Sequence, residues 1–160
     1  MNGQRQLQTY SMRQRRALIK SGLAAGAWLW VGPALANSDE LRAAISAFTL
    51  GAPMRQGRIV LDISPIVDNG NTVPMTISVE SPMTAADHVT DIAVFSERNP
   101  RREVVQFKLT PRSGKAVVAT RIRLATTQDV VALARMSDGS FWVHTVNVNV
   151  SIAACLETLT

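Results

Sequence analysis

The chain has 160 residues, 46% of them apolar, a composition suited to one globular domain. Its formal net charge of +5 arises near the N-terminus: Arg5, Arg13, Arg15, Arg16 and Lys20 precede the first acidic residue, whereas from Asn37 onward 12 Lys and Arg stand against 12 Asp and Glu. A neutral domain behind a basic leader excludes the broad cationic surface expected of a nucleic-acid-binding protein.

Residues 1–36 read as an export signal. Arg15 and Arg16 form a twin-arginine pair, followed by Leu18-Ile19 and a short apolar run over 22–35. That run is shorter than the roughly 20 residues a membrane span needs. The "ALA" at 34–36 is a small-x-small cleavage site, so cleavage is expected after Ala36. The paired arginines suggest the exporter of folded cargo; an ordinary secretory signal or an uncleaved anchor are the other readings. Cleavage places the mature domain in the periplasm, with no membrane attachment.

The domain, residues 37–152, opens with one helix candidate, 37–48. Asn37 can cap its N-terminus, with Glu40 at the capping-box position. Leu41, Ala44, Ile45 and Phe48 share one face at helical spacing. Seven short strand patterns follow, over 58–64, 73–80, 89–97, 103–110, 115–124, 129–136 and 141–152. Turn-forming clusters separate them, among them "VDNGN", "RNPR" and "SDGS". The pattern predicts an all-β, immunoglobulin-like antiparallel sandwich of about seven strands behind a short N-terminal helix. Asp138-Gly139 predicts a tight hairpin turn with positive φ, pairing the last two strands.

The final strand runs directly into the only cysteine, Cys155. An exported protein with one cysteine cannot close an internal disulfide; such a thiol is reactive or pairs between molecules. Residues 153–160 thus read as a short arm, with Cys155 about three residues beyond an anchored strand, roughly 10 Å when extended. The bland alternative is a small residue that ends the strand. His88, His144, Cys155 and a methionine such as Met75 or Met136 suggest copper only weakly, because no His or Met follows the cysteine as blue-copper sites require. No hydrolase elbow, phosphate loop or zinc spacing is present, so no metal or cofactor is expected. Asp87, Asp91 and Glu97 read as solvated charges. "RNPRREV" (98–104) reads as a charged hairpin loop in preference to a docking patch. Phe141 and Trp142 are adjacent and must point to opposite faces of their strand. One can enter the core; the other is exposed unless a partner covers it, which makes the pair a candidate interface.

The stretches "DNGNTVP", "SPMTAAD", "MSDGSFW" and "VNVSIAAC" resemble SoxY, the sulfur-carrier family of bacterial thiosulfate oxidation. The resemblance covers nearly the whole mature chain. It implies an immunoglobulin-like sandwich and a heterodimer with a SoxZ-like subunit that is exported already bound. It also implies that the protein is not an enzyme. It implies, further, that sulfur intermediates are carried covalently on the C-terminal cysteine, which maps to Cys155, while Sox cytochromes load thiosulfate and a hydrolase releases sulfate. The family typically ends Gly-Gly-Cys-Gly-Gly. This chain has Ala153, Ala154, Cys155, Leu156 and Glu157, a stiffer and bulkier arm. The alternative implied is a structural subunit of the same fold without carrier activity.

Overall fold

The computed structural model describes residues 34–153, with side chains from Ser38 onward. Arg15, Arg16, Ala154, Cys155, Leu156 and Glu157 lie outside the described residues.

Helix α1 spans Ala34–Thr49, so Asn37 lies inside it and is not its cap. Glu40 reaches no capping box; its Oε2 accepts from Arg102 Nε at 3.0 Å and Nη2 at 2.5 Å. With the helix beginning upstream of Asn37, position 37 is not an N-cap, and Glu40 pairs with the connection that precedes β6. The expected apolar face is the one used: Leu41, Ala44, Ile45 and Phe48 pack on a cluster of Ala93, Phe95, Val131 and Leu133. After Thr49, Leu50 takes φ 55° and the Gly51 N–H donates to the Ser46 carbonyl, the bond that closes a helix C-terminus.

Nine strands follow among the described residues: β1 Met54–Arg55, β2 Ile59–Ile63, β3 Ile66–Asn69, β4 Val73–Val79, β5 Val89–Ser96, β6 Glu103–Lys108, β7 Val117–Ile122, β8 Gln128–Met136 and β9 Phe141–Ile152. A short 3-10 turn, Pro111–Ser113, links β6 to β7. β2, β4 and β7 make an antiparallel three-stranded sheet, and β1-β9-β8-β5-β6 make the larger sheet, with β3 also on β9. The seven strands expected from the sequence are all present, and the alternation of β2 and β4 sends Ile59, Leu61, Ile63, Val73, Met75, Ile77 and Val79 inward. They meet Val89, Ile92, Val94, Val130, Ala132, Ala134 and Val148 from the larger sheet in one core. The molecule is therefore layered: helix, large sheet, small sheet, with an apolar layer at each junction.

The segment 54–69 changes sheets twice. β1 lies parallel to the start of β9, β2 belongs to the small sheet, and β3 returns to lie parallel to the end of β9. Between those contacts the β9 edge has no strand neighbour on that side among the described residues, and His144 fills part of the gap. Its Nδ1 accepts the Leu61 N–H at 2.8 Å. His144 is half-buried and joins the sheets.

The β8–β9 hairpin differs in detail from the expected two-residue turn. The Met136 N–H donates to the Ser140 carbonyl, and the Gly139 N–H to the Met136 carbonyl. Only Gly139 has positive φ, at 82°. This is a three-residue loop whose last residue is left-handed, with Asp138 kept right-handed because its carboxylate accepts the Ser140 N–H at 2.9 Å and hydroxyl at 2.7 Å.

Candidate functional site

The C-terminal end of β9 is the point from which residues 153–160 depart. β9 is twelve residues long, but β8 accompanies it only as far as the Gln128–Val148 pair. Asn149–Ile152 therefore extend past the β8 edge. β3 takes over on the opposite side, with Ile66 beside Asn149, Val67 beside Val150 and Asn69 beside Ile152. The Asn149 N–H donates to the Pro65 carbonyl at 2.8 Å, and the Gly70 N–H donates to the Ile152 carbonyl at 2.9 Å. On the side that β8 vacates, the Thr127 hydroxyl accepts the Val150 N–H at 3.0 Å. The strand thus keeps backbone partners up to its last residue. Ala153 is exposed and follows directly.

The local sequence explains why β3 forms. Ile66 and Val67 favour extended backbone, and Pro65 supplies an acceptor without needing a partner for an N–H. The Asn69 side chain then accepts the Asn71 N–H at 2.9 Å, an Asx turn that stops the strand. Gly70 is gripped twice, because its carbonyl also accepts the Leu124 N–H at 2.8 Å. The "VDNGN" cluster was expected to be only a turn; its first half is β3. Four residues are too few for alternation to register, and an isolated parallel pair has no hairpin signal.

A part-buried polar knot holds the neighbouring connections. Asn99 Oδ1 accepts from the Ala125 N–H and from Gln128 Nε2, both at 2.9 Å, and Asn99 Nδ2 donates to the Arg123 carbonyl at 2.8 Å. Gln128, 1% exposed, accepts the Arg98 N–H at 2.7 Å. The "RNPRREV" stretch is therefore tied inward through Asn99, and Arg102 is engaged by Glu40.

The aromatic pair faces opposite ways, as adjacent strand residues must. Phe141 is buried beneath α1, with its ring 5.9 Å from that of Phe48. This takes Phe141 out of the candidate interface, because the helix supplies its cover. Trp142 is half-buried against the inter-sheet core, with the Arg58 guanidinium 5.5 Å over its ring and its indole N–H donating to Ser140 Oγ at 3.3 Å. Asp91 is buried, not solvated: Arg135 Nη2 lies 3.1 Å from one carboxylate oxygen and Gln106 Nε2 donates to the other at 3.2 Å.

Among the described residues no three His, Cys, Asp or Glu side chains come together to hold a metal ion. His144 is committed to Leu61, and His88 lies against the β8–β9 turn through Ser137. Met75 and Met136 are core residues. The Asp138 carboxyl is held below its ordinary range, chiefly by the Ser140 hydroxyl, then by the Ser140 N–H and the Arg58 charge. It lies at the hairpin, not at the end of β9.

Known proteins share this architecture. The sulfur carrier protein SoxY from Chlorobium limicola f thiosulfatophilum superposes with a TM-score of 0.60 at 28% identity, covering 72% of this chain and 99% of its own. Superoxide reductase (neelaredoxin) from Ignicoccus hospitalis gives a TM-score of 0.53 at 15% identity over 59% of this chain and 80% of its own, a likeness of fold alone. No curated protein matches the sequence. The family model of the sulfur oxidation protein SoxY matches residues 45–155, from the apolar face of α1 to the cysteine itself. The chain therefore belongs to the SoxY family of sulfur carrier subunits.

Proposed function

We propose that this protein is a periplasmic carrier that holds thiosulfate-derived intermediates covalently on Cys155 while other proteins act on them. The observation that carries the reading is the anchoring of β9 through Ile152, with the only cysteine three residues further on. A thiol so placed can be offered to another protein's active site while the sandwich stays outside. Loading forms a sulfur–sulfur bond between the Cys155 Sγ and the outer sulfur of thiosulfate. The thiol proton leaves, and two electrons pass to the Sox cytochromes. Hydrolysis of the resulting S-thiosulfonate consumes one water, releases sulfate and a proton, and leaves a persulfide on Cys155. The protein is substrate in these steps, not catalyst.

Export through the twin-arginine leader and pairing with a SoxZ-like subunit complete the reading. Cleavage after Ala36 removes three residues of α1 and leaves Leu41, Ala44, Ile45 and Phe48 in place on the sheet. A second reading, a binding subunit without carrier activity, is favoured by Ala153-Ala154 and Leu156-Glu157 in place of glycines. The test is the intact mass of the protein from cells oxidising thiosulfate, with and without reductant. A reductant-labile sulfur adduct on Cys155, with loss of thiosulfate oxidation in Cys155→Ser, supports the carrier. An unmodified thiol in active cells, with oxidation intact in Cys155→Ser, leaves only the binding fold.

A further inference from the structure

Strand ends that outrun their neighbours normally fray, since the unpaired N–H and C=O groups prefer water. Asn149–Ile152 outrun β8, yet both edges are engaged. A hydroxyl substitutes for the missing strand on one side: Thr127, the residue before β8, accepts the Val150 N–H. On the other side Pro65 and Gly70 clamp the first and last of the four residues. Neither device is free to drift. The Leu124 N–H bonds the Gly70 carbonyl, which joins the β7–β8 connection to the β3–β4 connection. Asn99 binds that β7–β8 connection at Arg123, Ala125 and Gln128. The β2–β3, β3–β4 and β7–β8 connections thus converge on the end of β9, and Asn99 braces the last of them.

We propose that Thr127 and Gly70 are positioning residues that hold β9 paired through Ile152 and thereby set the length of the cysteine arm, with Asn99 and Gln128 holding Thr127 in place. The proposal rests on the carrier reading for its purpose, but not for its measurement. With the clamp closed the tether is Ala153–Cys155, roughly 10 Å of reach; with it open the free segment begins at Asn149 and reaches roughly 23 Å. A short tether on a fixed root confines the thiol to a small volume and raises its effective concentration at a docked active site. A long one spreads it.

The experiment uses the full-length protein with Thr127→Val, which keeps the side-chain shape and removes the acceptor, and Thr127→Ser, which restores a hydroxyl. Amide hydrogen exchange is read at Val150, with Val131 and Val146 as internal controls. A nitroxide on Cys155, the only thiol, reports arm mobility. In the wild type the Val150 amide is protected. In Thr127→Val it exchanges about fivefold to tenfold faster, as expected for one lost hydrogen bond, while the controls are unchanged and the nitroxide lines sharpen. Thr127→Ser returns both towards wild type. A Val150 amide that exchanges freely in the wild type, or is indifferent to Thr127→Val, overturns the proposal. These readouts need no sulfur chemistry, so a clamp that holds on a thiol carrying no sulfur refutes only the carrier reading. A loaded Cys155 above a freely exchanging Val150 refutes only the clamp.

Discussion

Phe48 offers the sharpest test of how the helix is held. It is the last apolar residue of the α1 face, and it meets Phe95 at 5.8 Å and 64°, and Phe141 at 5.9 Å and 73°. Both are edge-to-face contacts between a helix and two different strands. Replacing a buried Phe by Ala costs about 3–5 kcal/mol. Phe48 is half-buried, which brings the expectation to about 3 kcal/mol, including part of the ~0.5–1.5 kcal/mol of each ring pair. For a domain of this size a urea m-value of about 2 kcal/mol/M converts this to a midpoint lower by ~1.5 M. Phe48→Leu keeps most of the buried area and loses the ring geometry, so its expected cost is about 1 kcal/mol. Urea unfolding followed by tryptophan fluorescence reads both variants. In protein lacking residues 1–36, Trp142 is the sole tryptophan and belongs to the opposite apolar layer, so the signal reports global unfolding and not local helix loss. A Phe48→Ala midpoint within ~0.5 M of wild type would show that α1 contributes little to the fold. A separate early transition in far-UV circular dichroism would show that it docks non-cooperatively, and either result refutes the layered account.

Three further outcomes follow from named contacts. His144→Phe removes the acceptor of the Leu61 N–H and is expected to cost about 1–2 kcal/mol, read by urea unfolding; His144→Gln, which can still accept, is expected to recover part of it. Asp138 has a lowered folded-state value because Ser140 hydrogen-bonds its carboxylate. Its contribution is therefore present above the unfolded-state value near pH 4 and is lost as pH falls through the lower folded value. Asp138→Ala should consequently lower stability at pH 7 and narrow its difference from wild type at about pH 2–3, measured as Tm against pH; a difference constant with pH contradicts the assignment. Arg135→Met leaves the buried Asp91 carboxylate without its cation and is expected to cost more than the double change Arg135→Met with Asp91→Leu, by about 1–3 kcal/mol in urea unfolding, because an uncompensated buried charge is worse than none.

The layered structure also separates two ends of the molecule. The β8–β9 hairpin carries Asp138, Ser140 and Trp142, with Arg58 reaching across. The other end carries the convergence of Thr127, Pro65 and Gly70 on β9, with Asn99 bracing the β7–β8 connection behind Thr127. Changes at the hairpin should therefore alter stability without altering amide exchange at Val150.

The strand pattern was legible in the sequence because each long strand has one face in an apolar layer, which imposes a two-residue period. The helix face Leu41-Ala44-Ile45-Phe48 was legible for the same reason at a period of 3.6 residues. The lone cysteine and its distance from the last strand are properties of the sequence itself, and with them the carrier resemblance. What the tertiary structure decided lies in contacts between residues far apart in the chain. The inward turn of Asp91 depends on Arg135, 44 positions away, and the role of His144 on Leu61, 83 positions away. β3 exists because β9 offers an open edge at Asn149–Ile152; its own four residues carry too little periodicity to announce it. The end of β9 is held at Val150 by Thr127, whose hydroxyl replaces a strand that ends too soon. No local pattern marks such a threonine, because its partner is a backbone N–H brought alongside only when the sheet closes.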